Sequence, residues 1–164
     1  MSKRLTDVFD IANGASGLLS LMNMYEKNMR TFKGQGAKYP VTILTDNDDG
    51  SSNIKSRIKK KLDDVKEVNS SLHYNFARNL YIIFTPETEG EAIEDLFDEE
   101  TLNTEIDGKV FSRANEINSK TEYGKIVFAE KVIKAKQKEI NFDGFKVVFD
   151  KIKLIINEYS KKNA

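Results

Sequence analysis

Hydrophobic residues recur along this chain with two periods, one typical of amphipathic helices and one of buried strands. The first helical pattern consists of Leu18, Leu21, Met22, Tyr25 and Met29. It follows a turn rich in Gly, Asn and Ser, and it predicts a helix over residues 16–31. The apolar residues 8–11, which precede the turn, predict a short strand.

Two runs of apolar and β-branched residues predict buried strands. Residues 41–45 follow Pro40 and are apolar on both faces, which is typical of a central parallel strand. Residues 80–84 form the second run, which ends at Thr85-Pro86. Because these strands alternate with helical patterns, the sequence predicts an α/β fold.

Three further helices are predicted from their apolar stripes. The first has the stripe Ile54, Ile58, Leu62 and Val65. Lysines occupy its other face, and Ser51 or Ser52 is its predicted N-cap. The second contains Val127, Phe128, Val132 and Ile133. The third covers residues 142–160 and has the stripe Phe145, Val148, Phe149, Ile152, Ile155 and Ile156.

The composition narrows the possible classes of function. With 164 residues, the chain is predicted to form one domain, 1–164, around a single core. The lack of cysteine excludes disulfides, zinc–thiolate sites and thiol nucleophiles, and it favours a cytoplasmic location. No apolar stretch approaches the length of a membrane span, so no membrane partner is expected. Any histidine-dependent site would rest on His73 alone.

Charge is balanced in total but uneven along the chain, which has 26 basic and 26 acidic residues. No basic residue lies between Arg78 and Lys109, whereas a basic segment precedes this acidic block. A protein that binds metal beside nucleic-acid phosphates has such a pattern, and so do solvated helices. The candidates for nucleic-acid binding are Lys55, Lys59, Lys60 and Lys61.

The segment Asp46-Asn47-Asp48-Asp49 directly follows the predicted strand 41–45. Open α/β folds bind their ligands at this carboxyl edge of the sheet. Mg²⁺ or Mn²⁺ takes one or two carboxylates together with water and phosphate oxygens, so Asp46 and Asp48 are predicted metal ligands. A polar turn is the structural alternative, because turns use the same residue types.

Two other metal or phosphate chemistries are considered for this segment. A calcium EF-hand fits poorly, because Gly50 comes one place too early and Arg57 takes the place of the bidentate glutamate. A receiver domain phosphorylated at Asp46 or Asp48 stays open, although it predicts a different order of elements.

Further candidate residues lie downstream. Glu94 and Asp95 are flanked by apolar residues that would direct a carboxylate toward the site, although a solvated acidic helix has the same pattern. Lys125 follows Tyr123-Gly124 and is a candidate contact for a phosphate.

Taken in order, these motifs resemble the Toprim domain, the metal-binding α/β module of topoisomerases, primases and nucleases of the overcoming-lysogenization-defect type. The resemblance covers residues 8–133. It implies a mostly parallel sheet flanked by helices, to which C-terminal helices are added here. It also implies a nuclease in which Asp46, Asp48, Glu94 and Asp95 hold magnesium, and in which Asp46, Asp48, Glu94 and Lys125 are catalytic.

More narrowly, three segments are similar to the C-terminal Toprim extension of some retron reverse transcriptases, which serve antiphage defence. They are residues 45–50, residues 93–97, and residues 123–125 together with 128–129. This resemblance implies DNA or RNA as the substrate and a reverse transcriptase domain in the same polypeptide.

The sequence departs from the family pattern in one place. The family's first strand ends in a glutamate that serves as a ligand or as a general acid or base, and no glutamate precedes residue 26 here. We therefore expect that the chain is part of a longer polypeptide and is a poor catalyst alone. The alternative is an inactive Toprim-like module with a regulatory or interaction role.

Overall fold

The computed structural model describes residues 14–31, 37–114 and 116–162. These residues belong to two compact units. The first runs through Ile93 and includes the chain from Val148 onward, and the second is Glu94–Val147. The strand predicted at residues 8–11 lies outside the described residues.

A three-stranded sheet with the order β1-β3-β2 forms the centre of the first unit. Strand β1 (Val41–Asp46) runs parallel to β3 (Leu80–Thr85), and β2 (His73–Ala77) pairs antiparallel with β3. The parallel pairing predicted for β1 is confirmed. However, β3 is the central strand among those described, since it pairs with both β1 and β2. It is buried at all six positions, while Val41 and Leu44 of β1 are exposed.

The antiparallel strand β2 was not predicted from the sequence. Its buried Tyr74 and Phe76 alternate with half-buried polar residues, which is the usual signal for a strand with one face on the core. Arg78 has a positive φ of 46° in the tight connection to β3. With this strand the sheet is mixed, and the fold is mixed α/β.

Two helices pack with this sheet around one apolar core. They are α1 (Ala15–Thr31) and α2 (Ser52–Lys61), which contribute Met22, Ile54 and Ile58 to that core. The predicted stripe of α2 was too long, because the helix ends at Lys61 and the next residue is extended with φ −102° and ψ 100°. Leu62 and Val65 pack against the core from beyond the helix.

The C-terminal helix α5 (Lys146–Lys162) differs from its prediction in its start and in its buried face. Its buried residues are Val148, Lys151, Ile155 and Tyr159. Phe149 and Ile156, which were predicted on the apolar stripe, are 64% and 47% exposed. Lys151 can lie on the buried face because its ammonium donates to the carbonyl oxygens of Ser70 (2.6 Å) and Phe84 (3.3 Å) and lies 3.1 Å from Oε1 of Glu87.

The second unit has a small parallel pair of strands, β4 (Val110–Phe111) and β5 (Glu122–Tyr123). Its helices are α3 (Glu99–Leu102) and α4 (Lys125–Val127), and a π-helix, Phe128–Ile133, continues α4. The helical prediction for this region is confirmed, with π rather than α geometry over most of it. Tyr123, Phe128 and Val132 form the core. No helix in the described ranges is long and apolar enough to cross a membrane.

Candidate metal centre

Strand β1 carries Asp46 to the carboxyl edge of the sheet. This residue is the last of the strand and lies opposite Thr85 in the parallel register. Its half-buried carboxylate accepts a hydrogen bond at Oδ1 from the backbone N–H of Ile93, at 2.9 Å. The bond orients the carboxylate while leaving its negative charge in place.

Asn47 connects the end of β1 to the following loop. It is fully buried, and its side-chain Nδ2 donates to the carbonyl oxygen of Glu87 at 3.0 Å. Its backbone N–H donates to Glu91 O at 3.2 Å, and its carbonyl oxygen accepts from the N–H of Gly90 at 2.9 Å. The residue between the two predicted ligands therefore has a structural role, which no sequence pattern indicated.

Asp48 begins a tight turn. The short 3₁₀ helix Asp49–Ser51 follows Asp48. The carbonyl oxygen of Asp48 accepts hydrogen bonds from the N–H (3.1 Å) and Oγ (2.8 Å) of Ser51. Ser51 is the N-cap of α2 by position, but its hydroxyl makes this bond instead of a capping bond. A Cβ added at Gly50 would lie 3.1 Å from Asp48 Oδ1, so the carboxylate lies against the glycine.

Asp46 and Asp48 line the same cleft, which has a volume of about 400 Å³. Gly14, Ala15 and Leu18, at the amino end of α1, line it as well. The end of β1 and the start of α1 therefore meet at this cleft in the first unit.

The donor set of this cleft fits a hard divalent cation. Its two half-buried carboxylates are the ligands that Mg²⁺ takes from proteins, with water and phosphate oxygens completing the coordination. Within residues 14–31, 37–114 and 116–162, no three His, Asp or Glu side chains gather in a metal-holding group. The described residues thus offer a two-carboxylate site and not a full protein cage.

Glu94 and Asp95 belong to ion pairs within the second unit. Glu94 Oε2 lies 3.1 Å from Nζ of Lys125, which brings together two predicted site residues, and Asp95 pairs with Arg113. Each carboxylate side chain is 14% exposed. Arg113 was not identified from the sequence, because no spacing relates it to Asp95. The predicted metal-binding roles of Glu94 and Asp95 stay predictions.

The four predicted nucleic-acid-binding lysines lie on α2 in two different environments. Lys55 pairs with Glu89 at 2.8 Å, and Lys61 pairs with Glu26 at 2.6 Å. The hydrogen bond and charge of Lys55 lower the pKa of the Glu89 carboxyl group. Lys59 and Lys60 are exposed and have no carboxylate partner among the described residues.

His73 does not form part of this cleft. Its Nε2 lies 2.9 Å from Oε2 of Glu158 on α5, and its side chain is 18% exposed. His73 is therefore a partly packed residue paired with a carboxylate, which is the usual situation of a single histidine. The pair links β2 to α5 within the first unit.

Comparison with known proteins gives no matching family model and no matching solved structure.

Proposed function

We propose that the cleft at the end of β1 binds a divalent cation and that the chain is a Toprim-like, metal-dependent nuclease domain of a retron-type antiphage defence protein. The observation that carries the proposal is that Asp46 and Asp48 line one cleft. Asp46 is oriented by a backbone N–H, and no cation lies within ion-pair distance of Asp48 among the described residues. The order of motifs supports the Toprim-like assignment.

The electrostatics of the cleft favour a cation. Two carboxylates in one cleft repel each other, and a cation between them offsets that repulsion. When bound, magnesium would polarise a phosphoryl oxygen and lower the pKa of an attacking water. The task of Asp46 and Asp48 is then to supply charge and oxygen ligands, while the exposed cations of α2 contact the phosphate backbone.

The proposed metal site is limited to these two aspartates. Glu94 would have to leave Lys125, and Asp95 would have to leave Arg113, before either carboxylate became a ligand. Breaking such half-buried pairs has a cost in free energy that a metal site would need to offset.

A calorimetric titration with Mn²⁺ tests the metal site. We expect Asp46→Asn and Asp48→Asn to bind at least about tenfold more weakly than the wild type, because each loses a charged ligand of a hard cation. In Asp46→Asn, the side-chain amide oxygen can still accept the bond from Ile93, so the fold should be kept. Asp63→Asn, at an exposed position of the same unit, is the matched control and should bind normally. Equal affinity in all four proteins would falsify the metal site.

The second candidate function is a Toprim-like regulatory or interaction module without turnover. It is favoured by the two-carboxylate donor set of the described residues, because phosphodiester hydrolysis usually also needs a positioned acid or base. Cleavage assays on DNA and RNA with Mn²⁺, and with EDTA as the control, separate the two functions. Metal binding without cleavage supports the module, whereas cleavage that Asp46→Asn abolishes supports the nuclease.

A further inference from the structure

A nearly buried carboxylate holds three cations where α1 meets α2. Glu26 is 8% exposed, and its Oε1 lies 2.6 Å from both Arg30 Nη2 and Lys61 Nζ. Its Oε2 accepts from Arg57 Nη2 at 2.7 Å, and Arg57 Nε also donates to Asn23 Oδ1 at 2.9 Å. Glu26 and Asn23 thus fix the position of Arg57 from two sides.

This cluster has an excess of positive charge. The hydrogen bond from Lys61 is the main cause that lowers the pKa of Glu26, and it acts against burial, which would raise that pKa. Glu26 is therefore ionised at neutral pH, and one negative charge faces the three positive charges of Arg30, Arg57 and Lys61. The three cations share this one carboxylate and have no second carboxylate partner among the described residues.

Both arginine side chains are at least partly exposed to solvent. The side chains of Arg30 and Arg57 are 75% and 27% exposed. Each gives Nη2 to Glu26, and Nη1 of each has no partner among the residues that the structure describes. A guanidinium held in place with free N–H groups matches the oxygens of a phosphate group.

Helical spacing places further cations beside this cluster. Lys27 lies three residues before Arg30 on α1, and Lys60 lies three residues after Arg57 on α2, so each shares a face with its arginine. Glu26 is the only acidic residue in either helix. We call this the α1/α2 basic surface, and its members are Lys27, Arg30, Arg57, Lys60 and Lys61.

We propose that the α1/α2 basic surface binds the phosphodiester backbone of a nucleic acid, and that Glu26 is a positioning residue that holds Arg30 and Arg57 for this contact. The inference rests on the proposed function for the identity of the polyanion. It does not depend on a metal, because the contact is between cations of the chain and phosphate oxygens. Binding should therefore persist in EDTA and weaken steeply with salt.

The test is fluorescence anisotropy with short labelled DNA and RNA oligonucleotides in EDTA, over a series of salt concentrations. The double variant Arg30→Gln/Arg57→Gln is compared with Lys134→Gln/Lys138→Gln, which removes two exposed charges from the second unit. We expect the arginine variant to lose affinity on the order of tenfold per side chain at ~0.1 M salt and to lower the salt slope by about two. The lysine variant should change affinity by less than about twofold.

Three results would overturn the inference. They are equal losses in the two double variants, equally tight binding of poly-L-glutamate, and wild-type affinity in Arg30→Lys/Arg57→Lys, which keeps the charges without the planar forks. Circular dichroism checks folding, and the lysine-for-arginine variant provides the test if the glutamine variant does not fold. Normal Mn²⁺ binding by the arginine variants would show that loss of this inference does not contradict the proposed metal site.

Discussion

The first unit contains two groups of carboxylates that differ in what surrounds them. At the end of β1, Asp46 is held by a backbone N–H, and Asp48 has no cation within ion-pair distance among the described residues. Between α1 and α2, Glu26 contacts three cations and is nearly buried. Glu26 is thus compensated by the protein itself, whereas no described cation compensates the charge of Asp48.

Two acidic residues of the second unit resemble Glu26 more than they resemble the residues of the cleft. Glu94 and Asp95 each have a cationic partner, Lys125 and Arg113. In the sequence, the four predicted site carboxylates are similar candidates, because each lies beside apolar residues or at the end of a predicted element: Asp46, Asp48, Glu94 and Asp95. The partners that the structure shows distinguish the proposed metal ligands from carboxylates that are already paired with cations.

The largest effect expected from this difference is on stability. Glu26→Gln should lower the free energy of unfolding by about 2 to 3 kcal/mol at neutral pH, because it leaves three clustered cations without their carboxylate. Urea unfolding measures this. The matched control is Glu130→Gln, whose pair with Lys134 is exposed on both sides and should contribute less than about 0.5 kcal/mol. Similar losses in the two variants would contradict the distinction.

The pH dependence of that effect follows from the lowered pKa of Glu26. Its contribution is fully present above the unfolded pKa of about 4.3 and is lost as the pH falls through the lower, folded pKa. The stability difference between wild type and Glu26→Gln should therefore be constant from neutral pH to roughly pH 5 and then shrink in acid. Urea unfolding over this pH series checks the direction of the change. A stability difference that grew in acid would contradict a lowered pKa of Glu26.

The next largest expected effect is on the affinity for Mn²⁺, which should depend on the carboxylates of the cleft and not on those of the second unit. We expect Glu94→Gln and Asp95→Asn to change the affinity for Mn²⁺ by less than about twofold, compared with a loss of at least about tenfold for Asp46→Asn. Titration calorimetry makes the comparison. A loss in Glu94→Gln as large as that in Asp46→Asn would place Glu94 in the metal site, as the Toprim resemblance implies.

A smaller effect concerns the exposed lysines of α2. Lys60 shares a face with Arg57, whereas Lys59 is two residues from Arg57 and lies on another side of the helix. Lys60→Gln should weaken oligonucleotide binding roughly fivefold at low salt, and Lys59→Gln should weaken it less. Equal effects of the two substitutions in the anisotropy assay would mean that charge, and not its placement, determines binding.

The smallest expected effect on the affinity for Mn²⁺ comes from a change in the position of one proposed ligand. Gly50→Ala adds a Cβ 3.1 Å from Asp48 Oδ1, which forces the carboxylate to move by a few tenths of an ångström. Because metal sites depend on ligand position, affinity for Mn²⁺ should fall about threefold. The free energy of unfolding should change by less than about 0.5 kcal/mol. Unchanged affinity would indicate that Asp48 adjusts freely or is not a ligand.

Most elements of the first unit could be predicted from local patterns. The helix at 16–31, the strands at 41–45 and 80–84 and the apolar face of Ile54 and Ile58 all follow from hydrophobic period. Strand β2 was missed because it is short and half polar. The face of α5 was misjudged because the oxygens that accept from Lys151 belong to Ser70 and Phe84, far away in the sequence.

The candidate site likewise has features that follow from the local sequence and features that depend on tertiary packing. The positions of Asp46 and Asp48 follow from the end of a strand, which is a local property. The ion pairs of Glu26 with Arg57 and of Asp95 with Arg113 depend on tertiary packing, and no periodicity indicates them. The anchoring role of Asn47 also depends on a loop 40 residues further along the chain.

The position of β1 in the sheet has a consequence for local opening. Among the described strands, β1 is hydrogen-bonded on one side only, by β3, whereas β3 is flanked on both sides. Backbone amides of β1 should exchange with solvent through lower-energy openings than those of β3, because Val41 and Leu44 of β1 are exposed while β3 is buried at all six positions. A cation held by the last residue of β1 would raise the free energy of that opening. Hydrogen exchange along this strand would then report how often the proposed metal site is occupied, even when no reaction takes place.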